Sequence, residues 1–149
     1  MKRLKIYLDN CCFNRPYDDQ SQIKVALETE AKLFVQGLIA DGKIDLVWSY
    51  IMKFENANCP YDEQRETIGI WRKMAKEYVD FKPEILAIAA EVMSTGVKQS
   101  DSLHVACAIY ANCDYFLTTD KRITRYKTDK IKIVTPIEFL EEWSDYNGK

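Results

Sequence analysis

The stretch KQSDSLHVACAIYANCDYFLTTDKR, residues 98–122, carries the pattern from which the fold is inferred. In its first half an apolar residue recurs every three or four positions, as on one face of a helix, at Leu103, Ala106, Cys107 and Tyr110. The apolar run 115–117 then indicates a short buried strand, which the polar residues 118–121 end. Because ligands bind at the carboxyl ends of strands in a parallel sheet, we expect functional side chains directly after this strand.

Two acids frame this predicted strand. Asp101 opens the helix before it, and Asp120 comes three residues after its last residue. Asp120 also has an ordinary explanation as the N-cap of a helical turn over residues 121–127. We interpret His104, the chain's single histidine, as a hydrogen-bonded core residue rather than a catalyst.

Strand and helix patterns alternate along the chain. The patterns predict strands at 3–8, 44–48, 115–117 and 131–134. They predict further helices at 20–40, 50–57, 62–79, 83–95 and 137–143. Strands that alternate with helices are typical of a parallel sheet covered on both faces. We therefore predict an α/β fold, a single three-layer α/β/α domain over residues 1–149 with a central, mostly parallel sheet.

Four local expectations accompany this fold. Residues 11–18 are interpreted as a loop, and the helices at 62–79 and 83–95 as a helical hairpin. The polar tail after Trp143 is expected to fray. On the helix 20–40, a solvated face is assigned to Lys24, Glu28, Glu30 and Lys32.

Composition narrows the function. The net charge is −2 and the pI is about 5.5, which argues against a general nucleic-acid binder, although bound divalent cations would raise the charge to between 0 and +2. The five cysteines form no C-x-x-C pair, so a structural zinc site is not expected. No apolar stretch is long enough to span a membrane, and the first ten residues do not form a signal-peptide core. We expect a cytoplasmic protein.

Two further acids come at the ends of earlier strands. Asp9 follows the first strand, and Glu55 lies in the helix after the second. Taken alone, Asp9 fits a turn and Glu55 fits a surface position. If they meet Asp101 and Asp120, however, four like charges repel one another unless a cation lies between them. Carboxylate ligands alone select a hard cation, Mg²⁺ or Mn²⁺, over zinc or copper.

The sequence resembles the PIN domain family, the metal-dependent ribonuclease fold that includes VapC-type toxins. The resemblance covers almost the whole chain and is carried by YLDN (7–10), SYIMKFENA (49–57), SDSLHVACA (100–108) and DYFLTTDKR (114–122). It implies that the family's acids are Asp9, Glu55, Asp101 and Asp120, and that its polar residue before the last acid is Thr118 or Thr119. Asn10 departs from the family, whose members often have Ser or Thr there.

The resemblance implies an endoribonuclease that cleaves RNA with one or two Mg²⁺ or Mn²⁺ ions. Within it we expect Asp9 and Asp101 to be direct ligands, and Glu55 and Asp120 to act through water or as a base. Contacts with RNA are expected from Asn10, Thr118, Thr119, Lys121, Arg122 and Arg125. The protein would be a homodimer, the toxin of a type II toxin–antitoxin pair, silenced by a small antitoxin.

Two other functions remain open at this point. One is a catalytically weak or inactive module of the same fold that binds RNA or a protein partner. The other is an aspartate-based phosphatase or phospho-receiver. These enzymes need D-x-D after the first strand, or an acidic pair beside a phospho-acceptor aspartate with a later lysine, whereas this strand ends in D-N-C.

Overall fold

Five parallel strands form the central sheet in the computed structural model, which describes residues 3–146. The strands are β1 (Leu4–Leu8), β2 (Ile44–Ser49), β3 (Glu77–Val79), β4 (Tyr115–Leu117) and β5 (Lys132–Val134). The helices are α1 (Asn10–Asn14), α2 (Ile23–Ala40), α3 (Tyr50–Ala57), α4 (Asp62–Met74), α5 (Pro83–Met93), α6 (Gln99–Tyr110), α7 (Lys121–Thr124) and α8 (Pro136–Tyr146). A 3₁₀ turn, Arg15–Tyr17, follows α1.

The strand order is β3-β2-β1-β4-β5, with β1 at the centre. Tyr7 of β1 lies opposite Val47 of β2 on one side and Phe116 of β4 on the other. All three side chains are buried, as expected for a strand covered on both faces. The chain leaves β1 towards β2 and returns to its other side with β4, so the order reverses between β1 and β4. Such a reversal opens a crevice at the carboxyl ends of the strands.

Helices cover both faces of the sheet. Helices α2 and α8 pack together against it as one layer, and α5 and α6 pack together as the other. The predicted three-layer α/β/α fold with a parallel sheet is therefore confirmed. The strands at the centre and the helix over residues 50–57 lie where the sequence patterns placed them.

The predicted loop at 11–18 is wrong. The chain forms α1 and then the 3₁₀ turn in this segment. The Asp9 carboxylate accepts the first N–H of α1, and Cys12 and Phe13 are buried against the core. Capping and burial thus stabilise a helix of a single turn, which is too short to show any periodicity in the sequence.

The predicted helical hairpin is also wrong. Helix α4 ends at Met74, and Glu77–Val79 pairs with β2 as an edge strand, so that Tyr78 lies opposite Trp48. Helix α5 consequently packs on α6. A strand of three residues is too short to alternate visibly, and only its pairing with β2 decides its conformation.

The solvated face assigned to α2 is only half correct. Lys24 and Glu30 are exposed, but Glu28 and Lys32 are 2% and 5% exposed. The misjudged α1 explains the error, because Arg15 pairs with Glu28, and Lys32 lies over the ring of Phe13. Burial on this side of α2 leaves its opposite side outermost, where apolar side chains are exposed at Ile23, Leu27, Leu33 and Phe34.

Helix α8 extends to Tyr146, so the chain after Trp143 remains helical for three residues. The last three residues of the predicted frayed tail lie outside the described residues. Within residues 3–146, each helix is too short or too polar to cross a membrane.

Candidate active site

Asp9 is fixed at the crevice between β1 and β4. Its N–H donates to the carbonyl of Leu117, which extends the pairing of the two strands by one residue. Its carboxylate accepts the Asn10 N–H at 2.7 Å on Oδ1 and the Thr118 hydroxyl at 2.9 Å on Oδ2. The Cys11 thiol lies 3.3 Å from the same Oδ2. These donors hold a carboxylate that is only 5% exposed in a single orientation.

Glu55 reaches the same crevice from α3 through a contact with His104. The Nε2 of His104 lies 2.8 Å from Glu55 Oε1 and 3.9 Å from Asp9 Oδ1. Its Nδ1 lies 2.6 Å from the Tyr7 hydroxyl, which is also 2.6 Å from the Ser49 hydroxyl. When Nε2–H donates to Glu55, Nδ1 accepts from the Tyr7 hydroxyl. Each polar atom in this series of hydrogen bonds then has a partner.

Asp101 lies in the first turn of α6, and its carboxylate forms no hydrogen bond or ion pair with the rest of the described chain. Burial raises the pKa of this carboxyl, and the charges of Asp9 and Asp120 raise it further, while Lys98 and His104 oppose the shift. Asp101 therefore lies close enough to Asp9 and Asp120 for their charges to raise its pKa. No cationic side chain forms an ion pair with it in the described chain.

Asp120 is the N-cap of α7, as its sequence position indicated, and accepts the N–H of Arg122 at 2.9 Å. The Arg122 guanidinium also donates to both carboxylate oxygens, at 3.2 Å and 3.0 Å. Hydrogen bonds from Arg122 lower the pKa of the Asp120 carboxyl. This acid is thus a cap and a member of the same charged group, which we call the acidic cluster: Asp9, Glu55, Asp101 and Asp120.

The charges of the acidic cluster act on the buried His104. Burial lowers the pKa of His104, but the hydrogen bond to Glu55 and the charges of Asp9, Glu55 and Asp101 outweigh it and leave that pKa raised. The expected hydrogen-bonded core histidine is confirmed, since the ring is 1% exposed and both nitrogens have partners. Its partner, however, is a member of the acidic cluster.

Within residues 3–146, no group of three or more His, Cys, Asp or Glu side chains is arranged to hold a metal ion. Two of the four acids already have partners, Glu55 in His104 and Asp120 in Arg122. Asp9 and Asp101 are the acids without a cationic side chain in contact, apart from the 3.9 Å approach of His104 to Asp9. The acids converge on one edge of the sheet without forming a closed cage.

The polar residues expected beside the acids differ in how they contact the site. Thr118 contacts Asp9 through its hydroxyl, whereas Thr119 approaches the site through its N–H, 3.3 Å from Cys11 Sγ. Asn10 donates its own N–H to Asp9, and its Oδ1 is buried without a donor among the described residues. Lys121 is exposed and has no ion-pair partner among residues 3–146.

Sequence reasoning missed Tyr7 and Cys11 and did not assign His104 to the site. Two of the three had a signal. Side chains two apart in a strand share a face, which puts Tyr7 beside Asp9, and residues three apart in a helix are neighbours, which puts His104 beside Asp101. The contact of Cys11 with Asp9 depends on α1, which no sequence pattern indicated.

Comparisons with known proteins agree with this fold. The PIN domain family model matches residues 6–129. The fold is similar to a chain in the crystal structure of VapBC2 from Rickettsia felis bound to a DNA fragment from their promoter. That likeness has a TM-score of 0.59 at 14% sequence identity and covers 87% of this chain and 97% of the other. No curated protein matches the sequence.

Proposed function

The chain belongs to the PIN domain family, and we propose that it is an endoribonuclease that needs Mg²⁺ or Mn²⁺. PIN domains are generally nucleases that use divalent metal ions. The observation that carries the proposal is that Asp101 lies within reach of the charge of Asp9, the acid that follows the central strand. The Asp101 carboxyl has a raised pKa because of burial and the neighbouring charges of Asp9 and Asp120, so a cation between the acids would relieve a repulsion that the fold leaves in place.

The donor set fits a magnesium-like ion. Mg²⁺ is commonly bound through one or two carboxylates, with waters and substrate phosphate oxygens as its other ligands. A site of this kind needs no cage of three protein ligands, and none lies within the described residues. Asp9 and Asp101 would be the direct ligands. The buried Oδ1 of Asn10 is an acceptor suited to a water of the hydrated ion.

When bound, the ion supplies Lewis-acid activation of water and stabilises charge on the phosphate. The protein's own groups do the rest. Thr118 and the Asn10 N–H hold Asp9 in orientation, and His104 holds Glu55. Glu55 has an exposed fraction of 27% in its side chain, so this carboxylate can accept a proton from water while the histidine keeps it in position.

The cationic side chains beside the last acid would contact the RNA backbone. Arg122 forms an ion pair with Asp120. Lys121, the first residue of α7, is exposed. With Thr119 at the same strand end, they would bind the phosphates on either side of the scissile bond. Phosphate contacts of this kind position the substrate without reading its sequence.

A toxin–antitoxin role is part of the proposal. The similar VapBC2 chain belongs to a complex bound to promoter DNA, which supports an antitoxin as the partner of this chain too. We propose a cytoplasmic homodimer inhibited by a small antitoxin. Co-purification with the product of a neighbouring reading frame would test this partnership directly.

The test of the nuclease is cleavage of single-stranded RNA by the purified full chain with Mg²⁺, with Mn²⁺ and with EDTA. We expect cleavage with either ion and none with EDTA. The variant Asp9→Asn, purified in parallel, has to lose the activity, which excludes a contaminating nuclease. Equal cleavage in EDTA would contradict the proposal.

The pairing of Glu55 with His104 and of Asp120 with Arg122 favours one alternative, a PIN-fold module that binds RNA or a protein without cutting. In that case the same RNAs would bind the chain and stay intact with every divalent ion. Measurable binding without cleavage would therefore favour the alternative over the nuclease.

A further inference from the structure

A second feature lies beside the acidic cluster and shares Asp101 with it. A cavity of about 430 Å³ opens between the loop after α5, the start of α6 and the segment from α7 to residue 127. We call it the basic pocket and define it by Lys98, Asp101, Arg122, Arg125, Tyr126 and Lys127. Its volume is within the range of about 300–1,000 Å³ that is usual for small-ligand clefts, so a single nucleotide is the right scale of occupant and a double helix is not.

The basic pocket carries positive charge on a protein whose net charge is −2. Four cationic side chains line it against one carboxylate, a net charge of +3. Arg122 is the only one of the four with an ion-pair partner, Asp120, in the described part of the chain. The charge of Lys98 reaches Asp101, whose pKa it lowers against the stronger raising effects. Unpaired cations around a cleft favour an anionic ligand.

Tyr126 provides a flat apolar surface at the wall of the pocket. Its side chain is half-buried and packs against the core, and its N–H donates to the carbonyl of Ile123, which is buried beneath it. Tyr126 is therefore anchored against the core at the edge of the cavity that it lines. An aromatic ring beside cations is the combination on which unstacked bases of single strands bind.

Gly96, in the loop between α5 and α6, also lines the pocket. Gly96 has a φ of 105°, a conformation that residues with a Cβ rarely adopt. No heavy atom lies within 4 Å of the position that a Cβ would take. The turn of the loop between α5 and α6 therefore favours glycine, and the space beside its Cα is open.

We propose that the basic pocket binds the nucleotide next to the scissile phosphate of a single-stranded RNA. Its base lies on Tyr126, and its phosphate lies between Lys98 and Arg125. The inference rests on the proposed ribonuclease function and adds to it a requirement that this nucleotide is unstacked. Single-stranded loops and ends meet this requirement, and continuous duplexes do not.

Binding is measured by fluorescence anisotropy, with the full chain in EDTA and a short fluorescein-labelled single-stranded oligoribonucleotide. We expect Tyr126→Ala to weaken binding by about 5- to 150-fold, since stacking on an aromatic ring contributes about 1–3 kcal/mol per base. Tyr126→Phe keeps the ring and should bind like the wild type. Unfolding curves of both variants check that Tyr126→Ala is folded, and if it is not, the charge variants below decide.

The charge contribution has its own matched comparison. The double variant Arg125→Ala/Lys127→Ala should bind more weakly and reduce the slope of log K against log salt by up to about 1.4, because each phosphate contact on a single strand contributes about 0.7 to that slope. The control Lys24→Ala/Lys43→Ala removes two exposed lysines from α2 and the turn after it, away from the pocket. It should change neither the affinity nor the slope.

Three results would overturn the assignment of the basic pocket as a nucleotide-binding site. The first is wild-type affinity in Tyr126→Ala together with equal effects of the two double variants. The second is duplex RNA that binds with the same dependence on Tyr126. The third is polyglutamate that displaces the oligonucleotide as well as RNA does, which would make the pocket a general anion site.

Cleavage assays separate this inference from the nuclease itself. If the wild type cleaves RNA with Mg²⁺ and Tyr126→Ala does so with an unchanged KM, the pocket assignment fails and the nuclease stands. If RNA binds with the expected dependence on Tyr126 but is never cleaved, the nuclease fails and the pocket stands.

Discussion

Charged side chains lie near both ends of α1, and the two groups differ in whether each charge is paired within the protein. After α1, Glu28 is 2% exposed and accepts a hydrogen bond from Arg15 Nε at 2.9 Å, and Nη2 of the same guanidinium lies in ion-pair contact at 2.8 Å. Before α1, the charge of Asp9 raises the pKa of the Asp101 carboxyl, and Asp101 has no hydrogen-bond or ion-pair partner in the described chain. A buried charge is tolerated when it is paired. The comparison suggests that the first cluster is complete in the folded protein, whereas the second is completed by a ligand.

A buried charge without an ion-pair partner also lies on α2, where no ligand is expected to bind. Lys32 is 5% exposed and has no ion pair among residues 3–146. Burial lowers its pKa to about 8. Paired and unpaired charges thus occur in one small protein, and substitutions can tell them apart from the proposed ligand-binding acids.

The largest effect is expected from Asp101→Asn. This change removes a proposed direct metal ligand, and we expect metal-dependent RNA cleavage to fall by at least about 100-fold, at or above the usual cost of disturbing a ligand's support. The free energy of unfolding should not fall, because the repulsion from Asp9 and Asp120 is relieved. Cleavage rates and urea unfolding curves are the two measurements.

The control for this prediction is Glu84→Gln, which removes one exposed carboxylate from the first turn of α5. It should leave cleavage unchanged. An Asp101→Asn protein as active as the wild type, or markedly less stable, would mean that this acid serves the fold.

Arg15→Met should produce the opposite result, a loss of stability. It leaves the Glu28 carboxylate buried and unpaired, which typically costs about 3–5 kcal/mol, and the 21% exposure of Arg15 favours the lower end. The double variant Arg15→Met/Glu28→Leu should recover most of the loss, because no charge is left buried. Urea unfolding measures each free energy.

The matched surface change is Lys130→Met, which breaks an exposed pair with Glu91. Such pairs contribute at most about 1 kcal/mol. If the single variant Arg15→Met is no less stable than this control, the pair of Arg15 with Glu28 does not stabilise the fold as expected.

His104→Asn should reduce kcat by about 10- to 100-fold, the usual cost of removing a partner that orients a functional carboxylate, with little change in KM. Tyr7→Phe removes only the hydroxyl that contacts Nδ1 and should give a smaller reduction of the same kind. Steady-state kinetics separate the two constants. A change confined to KM, or equal losses of kcat and of folded protein, would argue against a role in positioning Glu55.

The smallest effect is expected from Lys32→Met. It replaces an unpaired buried cation by an apolar chain of similar length, and the free energy of unfolding at pH 7 should rise by about 1 kcal/mol, since Lys32 borders a cavity of about 140 Å³. The advantage should shrink at higher pH. Lys32 has a pKa of about 8 when folded and 10.5 as its ordinary value, so the unfolded chain binds more protons between these values and wild-type stability rises there.

Urea unfolding at pH 7 and at pH 10 measures this convergence. Lys24→Met, an exposed lysine eight residues earlier on α2, serves as the control and should show no pH-dependent difference from the wild type. A gap between Lys32→Met and the wild type that widens towards pH 10 would contradict the assignment.

The sequence predicted the elements that have long or strongly bounded patterns. Helix α3 and strand β4 were predicted over the residues where they occur, because a buried apolar run and a Ser49 cap are local signals. The pattern missed α1 and β3. Both are short, and both depend on neighbours: α1 on the Asp9 cap and the burial of Phe13, and β3 on its pairing with β2.

The candidate site divides in a similar way. Strand ends and helix starts placed Asp9, Asp101 and Asp120 at one sheet edge, since parallel strands bring their carboxyl ends together. The partners of each acid could not be read in this way. His104 holds Glu55 across 49 residues of chain, and Thr118 holds Asp9 across 109. Their catalytic roles stay a prediction.

By itself, therefore, the sequence determined the α/β alternation and the order in which the acids follow the strands, because local periodicity and strand ends are written in neighbouring residues. Only the tertiary structure decided which buried charges are neutralised within the chain and which are not. Whether a charge is paired depends on side chains that are distant in sequence and meet only when β1, α2 and α6 pack around the sheet.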